Sequence, residues 1–390
     1  MMRLKLIPFI ARLLAVSVAL PILLCQLVFA QENSPVVDDS FGVELVAENL
    51  PKSWSINLSP NNDMLVTDRS GHILVFDQQW QMQKYQTPIS DLYEGGQGGF
   101  LDIEFHPEFE SNGWIYLSYS SGTSDDNRLK VVRFKIPKIG NMISKMEEVF
   151  TLNSGKSTPV HYGGRMAFLP DNSLLISTGD GFDYREQAQI KSSHLGKILR
   201  MSDTGKALPD NPFFVQEQAE SNGSYIFSLG HRNPQALLVT EEGTIISHEH
   251  GPAGGDEINF IQKGANYGWP IITNGLDYSG AVITPFTEYE GMRQANFDWT
   301  PSIAPSGMIL YKYSTLDSLS QHLVVTSLKF KQLRVISLNG KTLSNERILL
   351  QDFEFRLRDI EQDRLGNILL LTDGDGKLEN STRIYKLIKK

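Results

Sequence analysis

Three polar stretches lie between residues 161 and 270: His161-Tyr162-Gly163-Gly164-Arg165, Gly230-His231-Arg232-Asn233-Pro234-Gln235, and His248-Glu249-His250-Gly251-Pro252 running on to Gly255-Asp256-Glu257. His161 precedes two glycines, which let a backbone approach a ligand closely. Asp180 follows 19 residues later in Thr178-Gly179-Asp180-Gly181. A histidine oriented by a carboxylate is a general base; the ordinary alternative is a turn aspartate and a loop histidine that never meet. Arg232 beside Asn233 and Gln235 puts a planar cation next to two amides, suited to a carboxylate or a polarised carbonyl, or to a loop held by its own hydrogen bonds. Arg356-Leu357-Arg358 places two cations on one face of a strand. They repel unless an anion lies between them, and Asp359 or Glu354 is the expected partner. His248 and His250 are also two apart, but no third nitrogen ligand for zinc is near. Asp256, Glu257 and the carbonyls of Gly251 and Pro252 are hard oxygen ligands that suit calcium. There is no nucleophile elbow, P-loop or dinucleotide fingerprint, since Gly95-Gly96-Gln97-Gly98-Gly99 lacks the spacing.

Each stretch adjoins a short apolar run, and those runs belong to a repeat. A turn with Asp, Asn, Ser or Gly precedes an apolar strand at Met64-Leu65-Val66, Trp114 to Leu117, Leu174-Leu175-Ile176, Thr244-Ile245-Ile246, Leu323-Val324-Val325 and Ile368 to Leu371. Between the middle residues Leu65, Ile115, Leu175, Ile245, Val324 and Leu369 the gaps are 50, 60, 70, 79 and 45 residues. Six such units predict an all-β chain folded as a six-bladed β-propeller, with a β-sandwich as the rival. The strand around Val43-Glu44-Leu45-Val46 is expected to pair with the last blade and close the ring. Helical character is confined to a turn around Glu186 to Ser193.

The N-terminus reads as an address. Arg3, Lys5 and Arg12 precede an apolar run from Leu13 to Leu24, and Val28-Phe29-Ala30 resembles a cleavage site. Residues 1–30 are expected to be a secretory signal peptide and 31–390 a single propeller domain, placed in the periplasm or secreted from a bacterium. A retained membrane anchor is the alternative, opposed by Pro21 and the shortness of the run. Cys25, the only cysteine, would leave with the signal, so the mature chain has no disulfide and no thiolate chemistry. Loss of three basic residues takes the formal charge from −9 to −12, which excludes a nucleic-acid partner.

From about Val43 onward the chain resembles the soluble quinoprotein sugar dehydrogenases, which include glucose, aldose sugar and sorbosone dehydrogenases. The strings that carry the likeness are Gly230 to Gln235, His248 to Pro252, Asn266-Tyr267-Gly268-Trp269-Pro270 and Pro301-Ser302-Ile303-Ala304-Pro305-Ser306. The resemblance implies a six-bladed propeller that binds pyrroloquinoline quinone (PQQ) with calcium. It implies that His161 is the base for the anomeric hydroxyl, Asp180 its supporting acid, Gln97 a substrate-side amide, and Arg232 the group that offsets negative charge on the quinone oxygen. Asn233, Gln235, Ser302, Lys329, Arg356 and Arg358 would contact PQQ. Gly251 and Pro252 would give carbonyls to its calcium, and Glu257 and Tyr267 would hold a second one.

Two departures stand out. Ser302 occupies a threonine position and keeps the hydroxyl. Asp102 stands where many members have glycine, and is expected to put a charge near Gln97 and alter sugar preference. The reaction implied is oxidation of an aldose at C1 to an aldonolactone, with electrons passing to an unidentified acceptor. A monomer is expected rather than a dimer, with no stable membrane insertion. The alternatives are a calcium-dependent propeller lactonase or hydrolase, which has no use for paired arginines, and a non-catalytic extracellular binding module.

Overall fold

The computed structural model describes residues 35–374 and 380–390. The expected signal peptide, its cleavage site and Cys25 lie outside the described residues. Among those described, no helix is long and apolar enough to cross a membrane.

The chain forms six antiparallel sheets arranged as a ring, a six-bladed β-propeller. In chain order the innermost strands are Ser53–Leu58, Phe100–Phe105, Gly163–Phe168, Pro234–Val239, Pro305–Leu310 and Leu357–Gln362, and each packs against the innermost strand of the next blade. The six apolar runs of the repeat are the second strands: Met64–Asp68, Ile115–Gly122, Leu174–Thr178, Ile245–Glu249, His322–Ser327 and Ile368–Thr372. Neighbouring strands flank them and neighbouring blades cover both faces. Four of them are therefore buried at every residue, which is why they read as unbroken apolar runs rather than alternating ones. The side chains between blades gather into six apolar clusters, one for each seam of the ring.

The ring closes as expected. Phe41–Leu50 pairs antiparallel with Thr382–Lys389 and becomes the outermost strand of the last blade. A three-residue strand, Val36–Asp38, adds in parallel to the outer edge of the fifth blade beside Thr342–Leu349. Among the described residues helix is limited to single turns, one of them the 3-10 turn Arg185–Gln189, which overlaps the start of the segment expected to be helical.

The central channel is closed by a buried polar knot. Arg165 donates from Nη1 to Asp102 at 3.0 Å and from Nη2 to Asp359 at 2.7 Å, and from Nε and Nη2 to the carbonyls of Gln235 and Ser306. Its guanidinium also stacks on Trp54, 4.2 Å from the ring centroid. This corrects the reading of Asp102. It is 4% exposed, accepts from Ser55 Oγ and Met166 N as well as Arg165, and ties three innermost strands together instead of facing substrate.

Candidate active site

Innermost strands all run one way through the ring and second strands run back. Residues that precede the first or follow the second therefore meet on one face. His161, Gln97, Arg232, Ala304, Arg356 and Lys52 precede innermost strands, while Asp180, His250, Leu328, Arg69 and Asp373 follow second strands. The polar stretches, far apart in sequence, thus converge at one mouth of the channel.

His161 and Asp180 meet there. His161 Nδ1 lies 2.7 Å from Asp180 Oδ1, with side-chain exposures of 7% and 1%. Asp180 Oδ1 also accepts Phe182 N–H at 2.8 Å, and its Oδ2 accepts Trp269 Nε1–H at 2.8 Å. Burial raises the carboxyl's proton affinity, but His161, through its hydrogen bond and charge, and then Arg232 outweigh it and hold Asp180 below the usual range. Burial pushes the His161 imidazole down; Asp180 opposes this, while Arg232 and Lys156 add to it. The imidazole is therefore neutral at pH 7. An ionised Asp180 accepts, so Nδ1 carries the proton and Nε2 keeps its lone pair. The backbone here is held tightly: His161 is left-handed at φ 54°, its N–H donates to Gln97 Oε1 at 2.8 Å, and Gly179 has no room for a Cβ against the His161 carbonyl.

Arg232 sits beside this pair. Its Nη1 donates to the carbonyls of His250 at 3.0 Å and Gly251 at 2.7 Å, and its backbone N–H donates to Glu249. Glu249 also accepts from His231 Nδ1 at 2.9 Å, and His231 stacks on Tyr267. Asn233 Oδ1 accepts from Gly163 N at 3.1 Å and from Gln235 Nε2 at 3.3 Å.

Next to these groups lies a cavity of about 250 Å³. Its walls include Trp54, Gln97, Asn233, Gln235 and His250, four cations (Lys52, Arg69, Arg356 and Arg358) and one acid, Asp373. The anion between the paired arginines is Asp373, which corrects the expectation of Asp359 or Glu354. Arg356 Nε bonds Asp373 Oδ2 at 3.0 Å, and Arg358 bonds Asp373 Oδ1 from Nε at 2.8 Å and Nη2 at 2.7 Å. Asp359 is committed to Arg165 and Glu354 is exposed. Arg356 also lies just ahead of the strand that begins at Leu357. Burial resists the Asp373 charge, but Arg358 and Arg356 hold the carboxyl below its ordinary value. Lys52 and Arg69 are both pushed down, first by burial and then, for Lys52, by Arg69 and, for Arg69, by Arg358. Cations that crowd one another around a single acid fit a ligand carrying several carboxylates.

Lys52, Arg69 and Asp373 were not singled out from the sequence, and Trp269 was named only as part of a family string, with no role. The signal available was place in the repeat, since Arg69 and Asp373 follow their second strands as Asp180 and His250 follow theirs. Three expected cofactor residues, Arg232, Lys329 and Ser302, lie off the cavity wall; Arg232 borders the small neighbouring pocket of Glu249 and Gly251 instead. Lys329 is exposed over the Phe330 ring, one residue beyond Leu328, which lines the cavity. Ser302 Oγ donates to Asp256 Oδ2 at 2.7 Å.

The residues expected at metals lie around Arg232 and the strand Asp256–Ile261. The Gly251 carbonyl faces the Arg232 guanidinium. Glu257 shares a small pocket with Glu249, Gly251, Gly255 and Tyr267. Burial, then the nearby Glu249, Asp298 and Asp256, push its carboxyl up to about 8. That crowding of acid oxygens fits a hard cation. The Tyr267 phenol is already engaged, donating to Phe260 O and accepting from Gln262 N, so only its backbone carbonyl is left for a metal. Among the described residues, no three His, Cys, Asp or Glu side chains gather as a metal cage.

Residues 50–380 match the family model for glucose/sorbosone dehydrogenase. Aldose sugar dehydrogenase YliI of Escherichia coli is 35% identical over 343 residues, covering 85% of this chain and 90% of its own. Quinoprotein glucose dehydrogenase B of Acinetobacter calcoaceticus is 30% identical over 279 residues, covering 64% and 56%. The apo-form crystal structure of the soluble E. coli aldose sugar dehydrogenase superposes with a TM-score of 0.82 at 31% identity, covering 90% of this chain and 100% of its own. The PQQ-bound aldose sugar dehydrogenase of Streptomyces coelicolor gives 0.73 at 28% identity, covering 92% and 100%.

Proposed function

The chain belongs to the glucose/sorbosone dehydrogenase family, and from that membership we propose that it oxidises aldose sugars at C1 to aldonolactones, with PQQ and calcium as cofactors. The observation that carries the reading is the pairing of a buried His161–Asp180 dyad with a cavity walled by four cations and one acid. A hydrolase gives those cations no task, whereas a tricarboxylate cofactor does.

Each residue then has a role in its own chemistry. His161, neutral and fixed by Asp180, takes the anomeric hydroxyl proton at Nε2. Gln97, which holds the His161 backbone, offers its amide to the sugar. Arg232, anchored on two carbonyls, supplies a fixed positive charge where an oxygen gains negative charge, and it needs no reorganisation to do so. Arg356, Arg358, Lys52 and Arg69 would hold the cofactor's carboxylates, with Asn233 and Gln235 along its edge and Ser302 and Lys329 at the margin. The carbonyls of Gly251 and Pro252 would hold its calcium, with Glu257 and the Tyr267 carbonyl at a second ion. When bound, the quinone supplies the acceptor for the hydride equivalent that leaves C1 as the lactone carbonyl forms. The protein is proposed to act as an exported monomer, cleaved near Ala30, that passes its electrons to an acceptor not yet identified.

The test is reconstitution of residues 31–390 with PQQ and calcium, following dye reduction over a panel of aldoses. Reduction that needs both additions and is lost in His161→Ala supports the reading. Absence of PQQ binding overturns it.

A further inference from the structure

Two largely exposed aromatic rings stand at the mouth of the site. Phe182 is 43% exposed and Tyr278 is 63% exposed. Phe182 is left-handed, at φ 69°, a conformation that a bulky side chain adopts only when its surroundings force it, and such residues concentrate at functional sites. The force here is local: Phe182 N–H donates to the Asp180 oxygen that also faces His161. The turn that fixes the base therefore also projects the ring.

The Phe182 ring stands edge to face with His161, with centroids 5.2 Å apart and planes at 79°. The Tyr278 ring lies nearly parallel to it, at 6.2 Å and 15°. Tyr278 Oη accepts from Arg232 Nη2 at 3.4 Å, and the Arg232 guanidinium lies 5.8 Å from its ring. Asp277 carries the turn that presents Tyr278, accepting Ser279 N–H at 3.0 Å, and it faces Arg185 across the gap between the two loops at 3.9 Å. One aromatic wall thus runs from the base to the charge-stabilising arginine.

We propose that Phe182 and Tyr278 form the apolar wall against which the pyranose ring of the substrate rests, and that they determine which sugars are accepted. The inference rests on the sugar-oxidising reading above and adds the surface that recognises the ring. A pyranose has a face of C–H groups carrying slight positive charge, and an aromatic face is the negative, apolar partner for it. Its hydroxyls, which radiate from the edge, are left to Gln97 and the polar side of the site. Two exposed aromatics are costly on a bare surface and become covered once a sugar lies on them.

The test uses the PQQ- and calcium-reconstituted enzyme with D-glucose and maltose. Phe182→Gly is the informative variant, because glycine adopts φ 69° freely. Its melting temperature should match or exceed that of the wild type, so a kinetic defect is not a folding defect. KM is expected to rise roughly tenfold, with kcat falling by less than KM rises, and Tyr278→Ala should behave alike. Trp80→Gly is the control. Trp80 is another exposed, left-handed aromatic, on a hairpin at the far face of the ring, and its loss should leave KM unchanged. Unchanged KM in both Phe182→Gly and Tyr278→Ala, in an enzyme that turns over glucose, overturns the wall and leaves the dehydrogenase standing. A wild type that turns over no aldose overturns both.

Discussion

Asp180→Asn removes one charge and almost no volume from the candidate site. Its three neighbours are all donors: His161 Nδ1 and Phe182 N on one oxygen, Trp269 Nε1 on the other. An amide satisfies only one side. With its oxygen toward His161, its NH₂ confronts the indole N–H. Flipped, it confronts His161 and Phe182 and drives the imidazole proton to Nε2, where the base is needed. Leaving one buried donor unmatched costs about 1–3 kcal/mol, a loss of a few degrees in melting temperature for a chain of this size. The catalytic loss is larger. An unoriented or wrongly protonated base forfeits about 10²–10⁴-fold in kcat. The direction of the pH profile separates this account from a simple change in charge state. Asp180 props up the His161 proton affinity against burial and Arg232, so in Asp180→Asn the acid limb of kcat/KM should move to lower pH while the plateau falls. The assay is dye-coupled glucose oxidation by reconstituted enzyme between about pH 5 and 9, the range in which histidine titrates. A plateau within threefold of wild type, or an acid limb displaced upward, refutes the reasoning.

Other perturbations reach further into the molecule. Arg165→Met strands Asp102 and Asp359 in the channel and is expected to destabilise the fold by about 3–5 kcal/mol; an unchanged urea midpoint would show that the knot does not hold the ring. His248 is fully buried and pushed down to about 3 by burial and then Arg165. As pH falls below the ordinary 6.5, the unfolded chain binds a proton that the folded one refuses, so its contribution to stability is complete above that value and is lost toward pH 3. At pH 5 the penalty is about 2 kcal/mol, and His248→Gln should narrow the gap in melting temperature between pH 7.5 and pH 5. Glu257 has the opposite sign: its raised value of about 8 makes stability fall as pH climbs from 4.5 toward 8. At pH 8 in chelator, Glu257→Gln should therefore melt higher than wild type and gain less from added calcium. Equal calcium gains in the two proteins would remove Glu257 from the metal reading.

The architecture was legible because its signal is local. The second strands are covered on both faces, so Leu174–Thr178 or Ile368–Thr372 can be read from composition alone, and six of them count the blades. The closing strand announced itself as an apolar run ahead of the first unit. His161, Asp180 and Arg232 were legible as candidates from their types and glycine-rich setting, but the residues alone left an ordinary loop reading open, and it was the family resemblance that gave each a role. What failed was pairing across blades. Asp102 lies close to Gln97 in sequence, yet an innermost strand carries it down into the channel to Arg165. Arg356 and Arg358 find their anion in Asp373, on the far side of a second strand, while the nearer Asp359 points inward. Which way a carboxylate faces at a strand end depends on the bulge between Leu357 and Asp359, and no composition rule reports a bulge.

The pairing of Phe41–Leu50 with Thr382–Lys389 also has a temporal meaning. The Lys390 backbone N–H donates to the Ser40 carbonyl at 2.7 Å, so residues at the two ends of the propeller sequence become neighbours. During synthesis, five blades can assemble while the sixth still lacks a partner strand, because its own strands emerge last. The site straddles that late seam: Arg356, Arg358 and Asp373 come from the final blade, and Lys52 and Arg69 from the first. A chain cut short before Arg356 loses three of the side chains that wall the cavity as well as the closure of the ring, and under the proposed function it would lose its cofactor with them.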